Sequence, residues 1–320
     1  MPDELLLIGP LRPVLARGLA NFTVHTLPAR PDREAFWKSI ADVRAIAVSA
    51  PIEPVNEALY ARLPNLEIIA SFGVGYDHID AAAAARRGIV VTHTPDVLTE
   101  EVADTAIGLL ICTVRELPQA ERYLRAGKWP MANYPLSRAT LRNRTVGLVG
   151  MGRIGRAIAH RLEAFGVPIV YHTREPRPDL PYRHYSRLID MAKDVDTLIA
   201  ILPGGAATRH VIDAKVLEAL GPDGIVINVA RGSVIDERAL IAALKERKIF
   251  AAGLDVFVNE PDVPADLIEL DNVVLLPHLG SASVFTREQM DRLLVDNLLA
   301  WSRREPPLTP VPETPWRNWR

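Results

Sequence analysis

The chain has 320 residues, more than one typical domain holds, so two domains are expected. Its composition, 48% apolar and 24% charged, is ordinary for a globular protein. The net charge of −2 excludes the strongly basic footprint of a protein that binds nucleic acid or an anionic membrane. A single cysteine, Cys112, excludes an intrachain disulfide. No run of about eighteen apolar residues predicts a membrane span, and no secretory signal is recognised, so a cytoplasmic protein is expected.

The first third of the chain alternates short apolar runs with helical stretches. Strands are predicted at 5–9, 22–27, 45–50, 66–71 and 89–94, and helices at 12–19, 32–40, 55–62 and 80–87. This alternation is typical of a parallel sheet covered on both faces. A long helix is predicted from residue 99 to about residue 125, followed by a turn-rich loop at 127–135.

The most informative stretch is Thr145-Val-Gly-Leu-Val-Gly-Met-Gly-Arg-Ile-Gly155. It fits G-x-G-x-x-G between a buried strand and a helix with Ile158, Leu162 and Phe165 on its apolar side. The three glycines permit a tight turn, the approach of a pyrophosphate and close packing of helix on strand, and the helix N-terminus favours the anion. The interpretation is a dinucleotide site rather than a structural turn. The residues expected to bind the cofactor here are Gly150, Gly152, Arg153, Ile154 and Gly155.

The end of the next predicted strand, 168–173, favours one dinucleotide. A site that prefers NAD places a carboxylate there to bind the ribose 2′-hydroxyl. This chain has Thr173 and Arg174 instead, and an arginine can pair with a 2′-phosphate. NADP(H) is therefore the expected cofactor, with NAD(H) weaker. Two alternatives stay open: Arg174 is only a solvated charge, or a shifted register places Glu175 at the strand end.

The remaining chain continues the strand–helix rhythm and contains three polar segments. Strands are predicted at 196–201, 225–230, 251–256 and 273–276, and helices at 214–220, 236–246 and 285–301. Arg231, Asp255 and His278 follow strand ends, and Glu260 lies in the loop after Asp255. Ligands of open α/β sheets bind outside the carboxyl ends of strands, so these side chains could converge. Taken singly, each has an ordinary structural or solvated alternative.

These segments, together with the glycine turn, resemble the D-isomer-specific 2-hydroxyacid dehydrogenases. Ser71-Phe-Gly-Val-Gly-Tyr-Asp77 and Thr94-Pro-Asp-Val-Leu-Thr99 resemble the glyoxylate/hydroxypyruvate reductase branch, and plant hydroxyphenylpyruvate reductases carry similar stretches. The resemblance implies an α/β fold with two doubly wound domains. It implies a Rossmann cofactor domain at 100–283 and a flavodoxin-like substrate domain at 1–99 with 284–320. We expect hinge closure about 98–102 and 281–285.

The resemblance also implies the site residues. Its catalytic set is Arg231, Glu260 and His278. Backbone N–H groups of Val74 and Gly75, with Arg231, would hold the substrate. The residues implied near the nicotinamide are Ala230, Asp255, His278 and Gly280. The family often forms homodimers, so a homodimer is expected, with Trp129 of the neighbour as a wall of the site.

These residues suit the reduction of a 2-keto acid, which needs a hydride at C2 and a proton on the carbonyl oxygen. His278 can supply the proton, Glu260 can fix its ring, and Arg231 can orient the carboxylate and polarise the carbonyl. No metal-ligand spacing is found, so no metal is expected. The function expected is NADPH-dependent reduction of glyoxylate and hydroxypyruvate. The alternatives are a reductase of phenylpyruvate-type acids and a non-catalytic, dinucleotide-sensing binding protein.

Overall fold

The structure, a computed structural model, describes residues 3–27, 33–50, 52–314 and 316. It divides into two compact units. The first unit combines Met1–Leu98 with Ser283–Arg320, and the second unit is Thr99–Ala282. Among the described residues, no helix combines the length and the apolar character needed to cross a membrane.

The first unit contains a five-stranded parallel sheet in the order β2-β1-β3-β4-β5. Its strands are β1 (Glu4–Ile8), β2 (Thr23–Thr26), β3 (Ala45–Val48), β4 (Ile68–Ser71) and β5 (Val90–Thr92). Its helices are α1 (Pro13–Gly18), α2 (Arg33–Ser39), α3 (Glu57–Arg62) and α4 (Ala81–Arg86), with α12 (Val284–Ser302) near the C-terminus. This strand order is the flavodoxin-like one.

Strands β1, β3, β4 and β5 of the first unit are buried on both faces because they are almost wholly apolar, whereas the edge strand β2 is polar and partly exposed. Leu6 and Ile8 pack in one core, and Leu5 and Leu7 in the other. Successive side chains of a strand point to opposite faces, so one short strand serves both cores. Helix α12 joins the second of these cores through apolar side chains that include Trp301.

The second unit contains a seven-stranded parallel sheet in the order β12-β11-β10-β9-β6-β7-β8. Its strands are β6 (Val146–Val149), β7 (Ile169–His172), β8 (Arg183–Tyr185), β9 (Thr197–Ala200), β10 (Ile225–Asn228), β11 (Ala251–Leu254) and β12 (Val273–Leu275). Its helices are α5 (Thr99–Arg115), α6 (Leu117–Arg125), α7 (Arg153–Glu163), α8 (Leu188–Asp194), α9 (Ala214–Leu220), α10 (Glu237–Lys245) and α11 (Ala265–Ile268). The strand order reverses at β6, which is the Rossmann arrangement.

The single helix expected from residue 99 to about 125 is wrong, because the structure has α5 and α6 with a break at Glu116. Glu116 adopts a left-handed conformation with φ of 54°. Pro118 causes the break, since it has no N–H to donate to the carbonyl of Val114 and its ring would clash there. The Ser137 hydroxyl donates to that carbonyl instead, at 3.0 Å.

Other differences from the sequence-based elements are smaller. Strand β8 and helices α8 and α11 were not predicted; β8 is a polar edge strand and α11 is a single turn, so neither shows a clear hydrophobic period. Helix α3 begins after Asn56, whose side chain caps it, and Val55 pairs with Ile79 instead. Phe165, expected on the apolar side of α7, lies beyond the helix and is 44% exposed. The first residue expected in α2, Asp32, lies outside the described residues.

Candidate active site

The glycine turn joins β6 to α7, and its three glycines have different surroundings. Gly150 has φ of +110°, and a Cβ there would lie 2.5 Å from the carbonyl oxygen of Ile201. A Cβ on Gly155 would lie 2.6 Å from the carbonyl oxygen of Gly150. At Gly152 a Cβ would meet no described atom within 4 Å. Packing therefore requires the outer two glycines, whereas the middle one borders open space.

That open space lies at the N-terminus of α7. Gly152 is the N-cap residue, its lack of a side chain leaves the helix end uncapped, and the first turn, which begins with Arg153 and Ile154, carries no acidic residue. The first N–H groups of a helix have no carbonyl partner within the helix and carry a partial positive charge. The turn can therefore accept an anion, such as a pyrophosphate, close to the backbone of Gly152.

The loop after β7 is held by the side chain of Tyr171. Its hydroxyl accepts the N–H of Arg177 at 2.7 Å and donates to the carbonyl of the same residue at 3.3 Å. The Thr173 hydroxyl donates to the carbonyl of Glu175 at 2.5 Å. These bonds close the loop on itself, so its shape is set without any contact from the side chain of Arg174.

The register of β7 decides which residues stand at its end. Val149 pairs with His172, the last residue of β7, so Thr173 and Arg174 come directly after the strand. Arg174 is exposed and makes no hydrogen bond or ion pair with the described residues. Glu175 comes later in the loop and does not take the strand-end position. The strand end therefore presents a hydroxyl and a cation and no carboxylate.

The three catalytic candidates follow three neighbouring strands at the carboxyl edge of the same sheet. Arg231 follows β10, Asp255 and Glu260 follow β11, and His278 follows β12. Because these strands are adjacent and parallel, their carboxyl ends meet at one edge.

Glu260 and His278 form a direct pair. Nδ1 of His278 lies 2.5 Å from Oε2 of Glu260, and the N–H of Phe257 donates to Oε1 at 3.0 Å. Burial raises the pKa of Glu260, but the hydrogen bonds from His278 and Phe257, with the charges of His278 and Arg231, outweigh it and hold this pKa below its ordinary value. Glu260 therefore stays ionised and fixes Nδ1. Nε2 of His278 makes no hydrogen bond with the described residues and is the nitrogen left for proton transfer.

Asp255 shapes the turn that carries His278. Its main-chain carbonyl accepts the N–H of His278 at 2.9 Å, and its carboxylate accepts the N–H groups of Leu279 at 2.7 Å and Gly280 at 2.9 Å. His278 has φ of 52°, an uncommon conformation for a residue with a side chain, and these bonds hold it there. Burial raises the pKa of Asp255. A Cβ on Gly280 would lie 2.9 Å from Oδ2 of Asp255, so a side chain there would disturb this carboxylate.

Arg231 stands on a loop that packs directly against the segment before Glu260. A Cβ on Gly232 would lie 1.9 Å from the carbonyl carbon of Phe257, so only glycine fits. The Arg231 guanidinium donates to the carbonyl of Ala230 at 2.8 Å, and Ala230 itself is buried. The charge of Arg231 contributes to the lowered pKa of Glu260, so the two groups interact electrostatically.

In the first unit, the loop after β4 presents backbone donors. The Thr94 hydroxyl accepts the N–H of Gly73 at 2.8 Å, and His93 Nδ1 lies 2.9 Å from the carbonyl oxygen of Val74. These contacts fix the loop, while the N–H groups of Val74 and Gly75 bond to no described residue. Adjacent N–H groups of this kind can receive a carboxylate.

The lone cysteine and the side chains of types that bind metals also bear on the chemistry of the site. Cys112 is half-buried on α5, and burial raises the pKa of its thiol, which disfavours a nucleophilic role. Within the described part of the chain, no group of three or more His, Cys, Asp or Glu side chains could hold a metal ion.

Comparison with known proteins agrees with this architecture. The sequence model of the NAD-binding domain of D-isomer specific 2-hydroxyacid dehydrogenases matches residues 107–280. Glyoxylate/hydroxypyruvate reductase A of Arabidopsis thaliana is 48% identical, covering 92% of this chain and 96% of its own. Hydroxyphenylpyruvate reductase of Plectranthus scutellarioides is 42% identical, covering 91% of each chain. The crystal structure of an NADPH-dependent glyoxylate/hydroxypyruvate reductase of Sinorhizobium meliloti, with NADP and malonate, is 52% identical, covers 100% of both chains and gives a TM-score of 0.95.

This chain belongs to the D-isomer specific 2-hydroxyacid dehydrogenase family. The family and the fold class expected from the sequence are confirmed. In this dehydrogenase the structure brings Arg231, Glu260 and His278 to one edge of the second unit.

Sequence reasoning missed the residues that hold the site in shape. Asn228, Tyr171 and Thr94 bind the backbone of the loops that carry the predicted residues. Asp255 was predicted, but as a residue near the nicotinamide; here its carboxylate supports the His278 turn. The signal for Asn228 was available: an amide at the end of an otherwise apolar strand must find hydrogen-bond partners when buried.

Proposed function

We propose that this protein reduces small 2-keto acids with NADPH, converting glyoxylate to glycolate and hydroxypyruvate to D-glycerate. The observation that carries the proposal is the 2.5 Å pair of His278 Nδ1 and Glu260, which leaves Nε2 as a proton donor. The 52% identical reductase that was crystallised with NADP adds independent support for the reaction and the cofactor.

The chemistry follows from the fixed geometry of these side chains. NADPH, when bound, supplies the hydride that becomes bonded to C2. The proton on Nε2 of His278 passes to the carbonyl oxygen, which becomes the hydroxyl of the product, and solvent later restores that proton. Glu260 holds the ring through Nδ1 and stabilises the imidazolium.

Substrate orientation comes from two kinds of donor. We assign the substrate carboxylate to the N–H groups of Val74 and Gly75, with the planar guanidinium of Arg231 binding the carboxylate and the carbonyl oxygen. A guanidinium next to the carbonyl oxygen stabilises the negative charge that develops there during hydride transfer.

For the cofactor, we assign the pyrophosphate to the turn at Gly152 and the N-terminus of α7, and the 2′-phosphate to Thr173 and Arg174. The exposed guanidinium of Arg174 is available for a charge-assisted pair with a phosphate. We assign the nicotinamide to the region of Ala230, His278 and Gly280. The first unit would serve as the substrate-binding domain and the second as the cofactor-binding domain.

A steady-state panel tests the activity directly. Glyoxylate, hydroxypyruvate, phenylpyruvate and hydroxyphenylpyruvate are each assayed with NADPH and with NADH. We expect the highest kcat/KM with the first two acids and NADPH. The second candidate function is the reduction of phenylpyruvate-type acids, and the hydroxyphenylpyruvate reductase relative is the observation that favours it. A preference for the aromatic acids in the panel would select this function. No turnover with any acid, together with measurable NADPH binding, would support the dinucleotide-sensing alternative.

We also propose that the protein is a homodimer formed through the apolar segment, residues 117–136. Helix α6 has no buried residue, and the segment exposes large apolar side chains that are 45–94% accessible: Leu117, Leu124, Trp129, Met131 and Leu136. Exposed apolar side chains concentrated in one segment mark an interaction surface. Trp129 of a neighbouring copy would then be available to line the active site. A cytoplasmic location stays a prediction.

Sedimentation of two variants tests the dimer. The wild type should sediment at twice the chain mass of 35.3 kDa, and Leu124→Glu should sediment as a monomer. Ile268→Glu is the matched control, because Ile268 is also exposed, at 59%, but lies outside the apolar segment. A monomeric wild type would refute the proposal.

A further inference from the structure

The last residue of β10, Asn228, is a buried amide with both ends of its side chain engaged. Its exposed fraction is 1%. Oδ1 accepts the N–H of Ala230 at 3.0 Å, and Nδ2 donates to the carbonyl of Arg231 at 3.0 Å. The same carbonyl also accepts the N–H of Val234 at 3.1 Å. The side chain therefore grips the backbone on both sides of the peptide that joins Ala230 to Arg231.

Asn228 also contacts the second catalytic loop. Its main-chain carbonyl accepts the N–H of Asp255 at 2.9 Å. Asp255 in turn holds the turn of His278 through three hydrogen bonds. Asn228 thus anchors the Arg231 loop with its side chain. Its main-chain carbonyl is bonded to Asp255, the residue that supports the turn of His278.

The chemistry of the two partners requires an amide at this position. One partner is a donor and the other an acceptor, and near neutral pH only the amide of asparagine offers both functions at this reach. An ionised aspartate would place a second acceptor against the carbonyl of Arg231. Alanine would leave the buried N–H of Ala230 without its partner and would remove one of the two donors to the carbonyl of Arg231.

We propose that Asn228 is a positioning residue that sets the orientation of the Arg231 guanidinium toward the 2-keto acid. This inference rests on the proposed function, in which Arg231 binds the substrate carboxylate and carbonyl. Because a displacement of about 1 Å in a positioning group can cost 10²-fold in rate, a loosened Arg231 loop affects the substrate while leaving the cofactor turn at Gly150–Gly155 intact.

Asn228→Asp is the most informative variant because it changes one function of the side chain and keeps its size. We expect kcat/KM for glyoxylate to fall about 10- to 100-fold at pH 8, mostly through KM, with the NADPH Kd changed less than about twofold. A protonated carboxyl can donate to the Arg231 carbonyl as the amide does. The activity of N228D relative to wild type should therefore rise as the pH falls from 8 to 5.

A double-mutant cycle separates positioning from a general structural role. In the Arg231→Ala background the substitution N228D should have little further effect on kcat/KM, because the side chain that it orients is gone. Equal losses in both backgrounds would overturn the proposal. If N228D does not fold, Asn228→Ser, which is too short to reach both partners, enters the same cycle.

Asn272 provides a matched control, because it lies just before β12, at the amino ends of the strands and away from the proposed site. Its Nδ2 donates to the carbonyls of Leu244 at 3.3 Å and Phe250 at 3.1 Å, just before β12 begins. Asn272→Asp should lower Tm as N228D does, with unchanged KM and kcat. A lowered Tm without any change in KM or kcat in N228D would also overturn the proposal. Failure of the proposed function is distinct, since the wild type itself would then not reduce any 2-keto acid.

Discussion

The loops that carry Arg231 and His278 and the loop after β7 leave the same edge of one sheet. Each is held by a buried side chain, which is Tyr171 in the loop after β7, but the charged residues are held in opposite ways. The Arg231 and His278 loops are closed by buried side chains, Asn228 and Asp255, and a methyl group does not fit at Gly232. The loop after β7 is exposed, and its Arg174 has no partner among the described residues. Proton transfer needs fixed geometry, whereas cofactor selection needs only a charge within reach of a phosphate.

Removing the proton donor should have the largest effect. We expect His278→Ala to lower kcat by about 10²–10⁴, with NADPH binding retained, because the imidazole is the proposed acid and lies apart from the glycine turn. Stopped-flow turnover and NADPH fluorescence titration measure the two quantities. A near-normal kcat would remove His278 from the mechanism.

The next largest effect should come from packing, and it separates two glycines. Gly232→Ala should cost about 3 kcal/mol of unfolding free energy, the upper part of the usual range for overpacking, because its methyl would overlap the backbone of Phe257. Gly152→Ala should leave the unfolding free energy nearly unchanged, since its methyl meets open space, but should weaken NADPH. Denaturant unfolding and NADPH titration of both variants test this contrast. Equal stability losses would contradict it.

The exposed loop should yield a smaller and selective effect. Arg174→Ala should weaken NADPH by roughly thirtyfold, about 2 kcal/mol, because a charge-assisted pair with the 2′-phosphate is lost. NADH, which lacks that phosphate, should change little. Arg187→Ala removes an exposed arginine elsewhere in the same unit and controls for net charge. If the Kd values of both cofactors change equally in R174A, Arg174 does not meet the phosphate.

The smallest effect concerns pH. Glu260→Gln should move the basic limb of the kcat profile to lower pH, because the imidazolium of His278 loses its charged partner. The same carboxylate has a lowered pKa in the folded protein. Its stabilising contribution is therefore present above the ordinary pKa of about 4.3 and is lost as the pH falls through the folded value. The wild type should lose more stability than E260Q between pH 6 and pH 3, as urea midpoints would show. Identical kcat profiles would assign the limb to another group.

The sequence by itself determined the strand–helix rhythm, the family and the candidate chemistry. Apolar runs and G-x-G-x-x-G depend on local residues, so the central strands β3, β9 and β10 were placed within two residues of their bounds. Arg231, Glu260 and His278 could be chosen because each follows a predicted strand or lies in a following loop, and the family resemblance then selected them.

Only the tertiary structure decided how those residues are held. The Val114 carbonyl that Pro118 leaves without a helical donor is satisfied by Ser137 from a distant loop, and the edge strand β8 forms because β7 offers a partner. The roles of Asn228 and Asp255 depend on backbone groups of loops that fold against them. Such bonds join positions that no sequence period links, since hydrogen-bond partners of buried polar groups are set by packing between elements.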